Sequence, residues 1–257
     1  MTKILAVTNQ KGGVGKTTTS VNLSTALAAC GHSVLLVDFD PQGNASTGLG
    51  VTETDRERNS YRLIAGQVSL QDAICATLVP QLHIVPTTMD LSAAEIELSE
   101  LDRREHRLAD ALQGARGHYD FVIIDCPPSL GLLTVNALSA ADNAIVPLQC
   151  EFYALEGLSQ LVRTINVVKQ SFNPDLSIQG IVLTMYDSRN KLSEMVSHDV
   201  RDYFGDLVYQ TVIPRNVRIS EAPSFGKPVL MYDIKSTGAQ AYAALAAELL
   251  NQEKITA

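Results

Sequence analysis

Residues 4–18 read ILAVTNQKGGVGKTT, an apolar run that opens into a glycine-rich turn and then into a helical stretch at residues 17–29. The turn, KGGVGKTT, reads as a phosphate-binding loop. Its glycines let the backbone N–H groups of Gly12, Gly13, Val14 and Gly15 close around phosphate oxygens. Lys16 is placed to reach β- and γ-phosphates and the Thr17 hydroxyl to hold Mg²⁺, with Thr18 next in line. The helix that follows directs its positive end at the anion. The ordinary loop, G-x-x-x-x-G-K-[ST], needs glycine where this chain has Gln10. The residues fit K-G-G-x-x-K-[ST] instead, a deviant form with an added lysine, Lys11.

Outward from the loop, strand-like apolar runs recur at residues 3–8, 33–38, 82–86, 119–125, 143–148, 177–185 and 207–211. Several are nearly continuous Val, Ile and Leu, as in strands covered on both faces. Helical stretches fall between them at residues 17–29, 105–115, 132–140, 155–172, 193–204 and 239–251, with a shorter one at 60–65. Residues 51–59 read as a polar surface loop. This alternation predicts an α/β fold of the P-loop NTPase kind, a mostly parallel twisted sheet with helices on both faces. No linker or repeat interrupts it, so residues 1–257 read as one domain. Ligands of such sheets bind beyond the carboxyl ends of the strands.

Two of those strand ends carry acids. VDFDPQGN at residues 37–44 delivers Asp38 and Asp40, two residues apart and so on the same side, before Pro41 and Gly43 turn the chain. A carboxylate there can order an attacking water or take its proton, and spacing alone leaves open which of the two acts. FVIIDCPPS at residues 121–129 is four apolar residues followed by Asp, the Walker B pattern. Asp125 is then a hard oxygen ligand for Mg²⁺, through water.

Composition narrows the partners. The chain has 257 residues, 46% hydrophobic and 19% charged, with net charge −8. With 5% aromatics and no Trp, it lacks the exposed rings of a single-strand stacking platform. An acidic sum excludes a surface that binds DNA everywhere but not a local basic patch. Between residues 184 and 235, seven Lys and Arg balance seven Asp and Glu, while the remainder is acidic. Four scattered cysteines, Cys30, Cys75, Cys126 and Cys150, form no C-x-x-C pair, so disulfides and structural zinc are not expected. No signal peptide or membrane-spanning run is evident, and the tail NQEKITA supplies no basic amphipathic helix. We expect a cytoplasmic protein with no membrane partner.

Together, KGGVGKTT, VDFDPQGN and IIDCPPS resemble the deviant Walker A ATPases, and within them the chromosome- and plasmid-partitioning ParA/Soj type. PLQCEFYALEGL (residues 147–158), VLTMYDSRN (182–190) and VIPRNVRISEAPSFGKPV (212–229) extend the resemblance to residues 3–250. It implies a slow ATP hydrolase that uses ATP and Mg²⁺ and closes as a homodimer with the nucleotides between its subunits. Lys11 then reaches across to the partner's phosphates, Lys16 serves its own, and Asp40 is the hydrolytic carboxylate. Mg²⁺ ligation maps to Thr17, with Asp125 and Asp38 behind it, and adenine contacts map to Pro214 and Asn216, with Met185 as a wall of the pocket. In the ATP dimer, Arg189 and Arg218, and also Lys227 and Lys235, correspond to residues that hold double-stranded DNA without sequence preference. A ParB-type centromere-binding protein is the implied partner, and the nucleoid the implied location. Alternatives within the same chemistry are a positioning ATPase for another cargo and a MinD-type membrane-surface ATPase. An iron–sulfur relative is disfavoured because Cys126 and Cys150 lack the spacing a shared cluster needs.

Overall fold

A computed structural model describes residues 2–256, with side chains described up to Glu253. In chain order it contains β1 (Lys3–Val7), α1 (Lys16–Ala29), β2 (Val34–Asp38), α2 (Asn44–Gly48), α3 (Ser60–Ile64) and α4 (Leu70–Ala73). There follow β3 (Cys75–Ala76), β4 (Leu82–Val85), α5 (Ala94–Glu97), α6 (Arg107–Ala111), β5 (Phe121–Asp125) and α7 (Leu132–Ala140). The last third holds β6 (Asn143–Gln149), α8 (Ala154–Ser171), β7 (Ser177–Thr184), α9 (Lys191–Phe204), α10 (Val217–Glu221), α11 (Val229–Tyr232) and α12 (Thr237–Thr256).

The strands form one seven-stranded sheet in the order β3-β4-β2-β5-β1-β6-β7, parallel except for the β3 edge. Side chains alternate across it with the strand period of two. Ile4 and Ala6 of β1, Leu35 and Val37 of β2, and Val122 and Ile124 of β5 enter one apolar layer beneath α7 and α8. Leu5 and Val7, Val34 and Leu36, and Phe121 and Ile123 enter the other, beneath α1 and α12. Burial on both faces explains why these strands are apolar throughout, and each fully buried Val, Leu or Ile contributes about 1.5–3 kcal/mol. The order of strands reverses at β1: the chain passes from β1 to β2 on one side and returns to β6 and β7 on the other. A cleft opens at such a reversal, and the glycine-rich loop leaves β1 there.

Two expectations need correction. Residues 207–211 are not a strand. Val208 makes only an isolated parallel bridge to Ile181. Side chains take the hydrogen bonds a strand neighbour would have made: Arg201 donates to the carbonyls of Tyr209 and Gln210, and Glu248 accepts the N–H groups of Gln210 and Thr211. The seventh strand is β3, a two-residue antiparallel edge. Residues 105–115 are not one helix either. The α-helical part is α6, flanked by 3₁₀ turns Arg104–His106 and Leu112–Ala115, and the Asn136 side chain occupies the Leu108 N–H and the Arg104 carbonyl. Residues 51–59 include a 3₁₀ turn, Glu53–Arg56.

Gly180 of β7 lies directly under the ring of buried Tyr209, so that a Cβ would collide with it. Gly180→Ala should therefore lower stability to urea unfolding by about 1–3 kcal/mol. The Tyr209 hydroxyl is buried without a hydrogen-bond partner. Tyr209→Phe, which removes only that group, should be neutral or stabilising in the same assay.

Candidate active site

The loop between β1 and α1 is shaped for an anion. Gly13 and Gly15 hold φ of 75° and 88°, a left-handed backbone that a side chain would strain. Gly15 caps α1 without any side-chain hydrogen bond, which leaves the first-turn N–H groups of the helix open to a ligand, and no acid lies in that turn to compete. Asn9 anchors the loop, donating to the Pro147 carbonyl at 2.8 Å and accepting the Lys11 N–H at 3.0 Å. Lys16 is buried and its ammonium donates to the Lys11 carbonyl at 3.0 Å. Burial lowers its pKa, against the opposing pull of Asp125, Cys126 and Asp40.

The acids converge beside this ammonium. Parallel pairing of β2 and β5 sets Asp38 opposite Asp125, and both are fully buried. Asp38 accepts the Ser46 N–H and hydroxyl on Oδ2, at 2.7 and 2.6 Å. Asp125 accepts the Ser20 hydroxyl on Oδ1 at 2.8 Å, and the nearby Thr17 hydroxyl favours its charged form. The second oxygen of each, Asp38 Oδ1 and Asp125 Oδ2, is buried with no partner. Two orphaned, neighbouring carboxylate oxygens beside a threonine hydroxyl form a donor set that fits a hard divalent cation. Among the described residues, no three His, Cys, Asp or Glu side chains gather into a metal cage. Bound at that donor set, Mg²⁺ would neutralise phosphate charge. Asp40 is nearly buried, and its Oδ1 accepts the Gln42 N–H at 3.1 Å, so it forms the turn as well as facing Lys16.

A cavity of about 280 Å³ opens beside the loop, lined by Gly15, Thr18, Met185, Pro214, Asn216 and Tyr242 among others. The structure thus gathers Met185, Pro214 and Asn216 around one space. Met185 holds φ of 50°, uncommon for a residue with a side chain. Asn216 caps α10, accepting the Arg218 N–H and donating to Thr237, so its amide is largely committed to the protein. Arg189 lies on the loop after β7 and Arg218 in the first turn of α10, and Lys227 and Lys235 are exposed. Lys227 instead lines a second cavity with Thr17, Asn44 and Thr47.

Lys11 does not point into its own loop. Its ammonium pairs with Glu151, at the end of β6, and stays half exposed. Sequence reasoning missed Glu151, Ser46, Ser20 and Asn9. Ser20 was within reach, one helical turn after Lys16 and so on the same face. Ser46 and Glu151 carry no local signal, because tertiary folding alone brings them to Asp38 and Lys11. Cys126 and Cys150 are buried thiols, with Cys126 pushed far up by burial and by Asp125, and Cys150 pushed up to about 11 by burial.

Burial first raises the carboxyls of Asp125 and Asp38 above the usual range, with the charge of Asp38 adding to it at Asp125 and that of Asp40 at Asp38, and the Ser20 and Ser46 bonds opposing. From about pH 4 upward the unfolded chain therefore gives up protons that the native protein still holds, and nucleotide-free stability falls as pH rises towards and through neutrality. Asp125→Asn should remove this penalty, stabilising the Mg²⁺-free protein at pH 8 by about 1 kcal/mol or more relative to pH 5. The same variant should lose Mg²⁺-dependent nucleotide affinity. Urea melts at both pH values and a nucleotide titration check the pair of outcomes.

Comparison with known proteins agrees with this geometry. The family model described as AAA domain matches residues 2–178. The chromosome partitioning protein ParA of Caulobacter vibrioides is 60% identical over 254 residues, 98% of this chain and 95% of the relative. The sporulation initiation inhibitor protein Soj of Bacillus subtilis is 55% identical over 249 residues, 97% and 98% of the two chains. A Mycobacterium smegmatis protein titled cobyrinic acid a,c-diamide synthase, solved with an ATP analogue and magnesium, superposes with a TM-score of 0.87 at 42% identity, covering 99% of this chain and 96% of its own. A further structure of it holds ADP and magnesium. Its nucleotide and magnesium, like the orphaned oxygens here, identify ATP and Mg²⁺ as the cofactors. This chain is an ATP hydrolase belonging to the ParA/Soj family of deviant Walker A ATPases.

Proposed function

We propose that this ATPase partitions chromosomal DNA, acting as one catalytic unit over its whole length. With ATP and Mg²⁺ bound, two protomers close face to face, bind double-stranded DNA without sequence preference, and release it after hydrolysis stimulated by a ParB-type centromere-binding protein. The location is then cytoplasmic and nucleoid-associated. The observation that carries this reading is the placement of Lys11: a half-exposed ammonium at the rim of a phosphate loop that Lys16 already serves from within. A second cation so placed suits phosphates presented by a second copy, where it offsets charge gathered at a closed interface.

In this reading Lys16 holds the phosphates, and the first-turn N–H groups of α1 receive their oxygens. Thr17 would hold Mg²⁺ with Asp125 and Asp38 behind it. Asp40 orients the attacking water and accepts its proton. Met185, Pro214 and Asn216 enclose the adenine. Arg189 and Arg218 meet DNA phosphates, with Lys227 and Lys235 on the same third of the chain, and dimerisation doubles that surface. The partition role follows the relatives at 60% and 55% identity rather than the synthase title carried at 42%. Among the described residues no helix is long and apolar enough to cross a membrane. The end of the tail, which bears on a MinD-type surface role, lies outside the described side chains.

Retention on non-specific duplex DNA with ATP, ADP or no nucleotide, across a salt series, tests the switch. Binding should require ATP, weaken steeply with salt, and be lost in both Lys11→Ala and Arg189→Ala. Nucleotide-independent binding, or ATP-driven dimers that ignore DNA, would contradict it. Asp40→Ala should lower ATP turnover by about 10²-fold or more while leaving nucleotide affinity in place. Turnover at the parent rate would remove Asp40 from its assigned role.

A further inference from the structure

Both arginines assigned to DNA are already engaged. Arg189 donates from Nε and Nη2 to the two carboxylate oxygens of Asp187, each at 2.9 Å. This is the two-pronged geometry with which a guanidinium grips a phosphate. The arginine side chain is 87% exposed, so another anion can reach it from solvent. Arg218 is paired differently, with two separate carboxylates: Nη1 donates to Glu221 Oε2 at 2.9 Å, and Nε faces Asp233 Oδ2 at 3.5 Å. Arg189 holds the Asp187 carboxyl down to about 2, with Arg215 adding to the effect. The loop that carries Arg189 is stitched to the segment that leads into α10 and Arg218, the Tyr186 N–H donating to the Ile213 carbonyl and the Arg215 N–H to the Tyr186 carbonyl. Both segments line the same cavity, one through Met185 and the other through Pro214 and Asn216.

We infer that Asp187, together with Glu221 and Asp233, is an internal stand-in for phosphate on this surface, and that duplex DNA binds by displacing these carboxylates from the arginine forks. The inference rests on the reading above that the surface takes DNA. An exposed ion pair is weak, so each carboxylate should lower affinity by only about two- to fivefold. The salt dependence is more telling. A displaced carboxylate leaves its arginine on phosphate in parent and variant alike, so the slope of log K against log salt should be shared, whereas a carboxylate that stayed in place would cost the parent a phosphate contact and make its slope shallower by about 0.9 per arginine. A change of net charge elsewhere on the molecule would shift affinity without adding a phosphate contact.

Asp187→Asn and Glu221→Gln remove the charge with little change of shape. Asp187→Asn also keeps the oxygen that accepts the Arg189 backbone N–H. Asp175→Asn is the control, an exposed carboxylate before β7, at the opposite end of the strand from Asp187. Affinity for a linear duplex of mixed sequence is measured in ATP and Mg²⁺ over a salt series, and the salt needed for elution from heparin is measured beside it. Asp187→Asn and Glu221→Gln should each bind the duplex about two- to fivefold more tightly with the parent slope, and should elute later from heparin, while the control gains less affinity. An unchanged affinity in both variants, or a slope steeper than the parent's by about 0.9, in a parent whose binding Arg189→Ala abolishes, would overturn the displacement. So would an equal gain in affinity from Asp175→Asn. Later heparin elution of both variants with no duplex binding by any protein would support occupancy of the forks and overturn the DNA reading. Unchanged elution with no duplex binding would overturn both.

Discussion

Asp38 and Asp125 stand opposite each other on neighbouring parallel strands, fully buried, each with one oxygen that nothing in the protein satisfies. Two carboxylates cannot both ionise at such a place without a cation close by. The surrounding elements answer that constraint. Lys16 brings a buried ammonium, Thr17 a hydroxyl, and the uncapped start of α1 a field that draws in anionic phosphate. The nucleotide-free site is consequently a strained one, and Mg²⁺ with ATP relieves what the protein alone leaves uncompensated. Ser20 and Ser46 keep the acids in register by occupying the oxygen on each that faces away from that role.

A second regularity concerns the cations outside the loop's interior. Lys11 pairs with Glu151, Arg189 with Asp187, and Arg218 with Glu221 and Asp233. In the proposed function each of these cations meets a phosphate supplied by something else, either the nucleotide of a second protomer or the DNA backbone. Carboxylate partners let an acidic protein carry such groups without a standing positive patch, and they make engagement an exchange of anions rather than a capture by free charge. The loop that carries Arg189 and the segment leading into Arg218 also supply the cavity wall, through Met185, Pro214 and Asn216, so in the proposed function the seating of the nucleotide and the geometry of the arginines share residues.

Much of the site was legible because its chemistry is local. Glycines, lysines and threonines at fixed spacing define the loop, and Asp38, Asp40 and Asp125 end apolar runs that could only be buried strands. The paired register of Asp38 and Asp125 was not legible, because strand order depends on the whole sheet. Residues 207–211 misled for a related reason: their apolar pattern is that of a strand, but Arg201 and Glu248, on α9 and α12, claim the backbone groups first. The edge strand β3 is too short to show a period. Glu151 had no signal at all, since its partner is 140 residues earlier in the chain.

The central claim is that Lys11 serves the nucleotide of the opposite protomer, and mixing tests it most directly. Lys11→Ala and Asp40→Ala proteins, each inactive alone, are combined in equal amounts and ATP turnover is measured. If Lys11 acts across the interface, a mixed dimer contains one site with its own Asp40 and the partner's Lys11, and turnover should recover to about a quarter of the parent rate, since half of randomly paired dimers are mixed and one of their two sites is intact. No recovery, in a mixture shown to form dimers, would mean that Lys11 acts within its own protomer and would contradict the account.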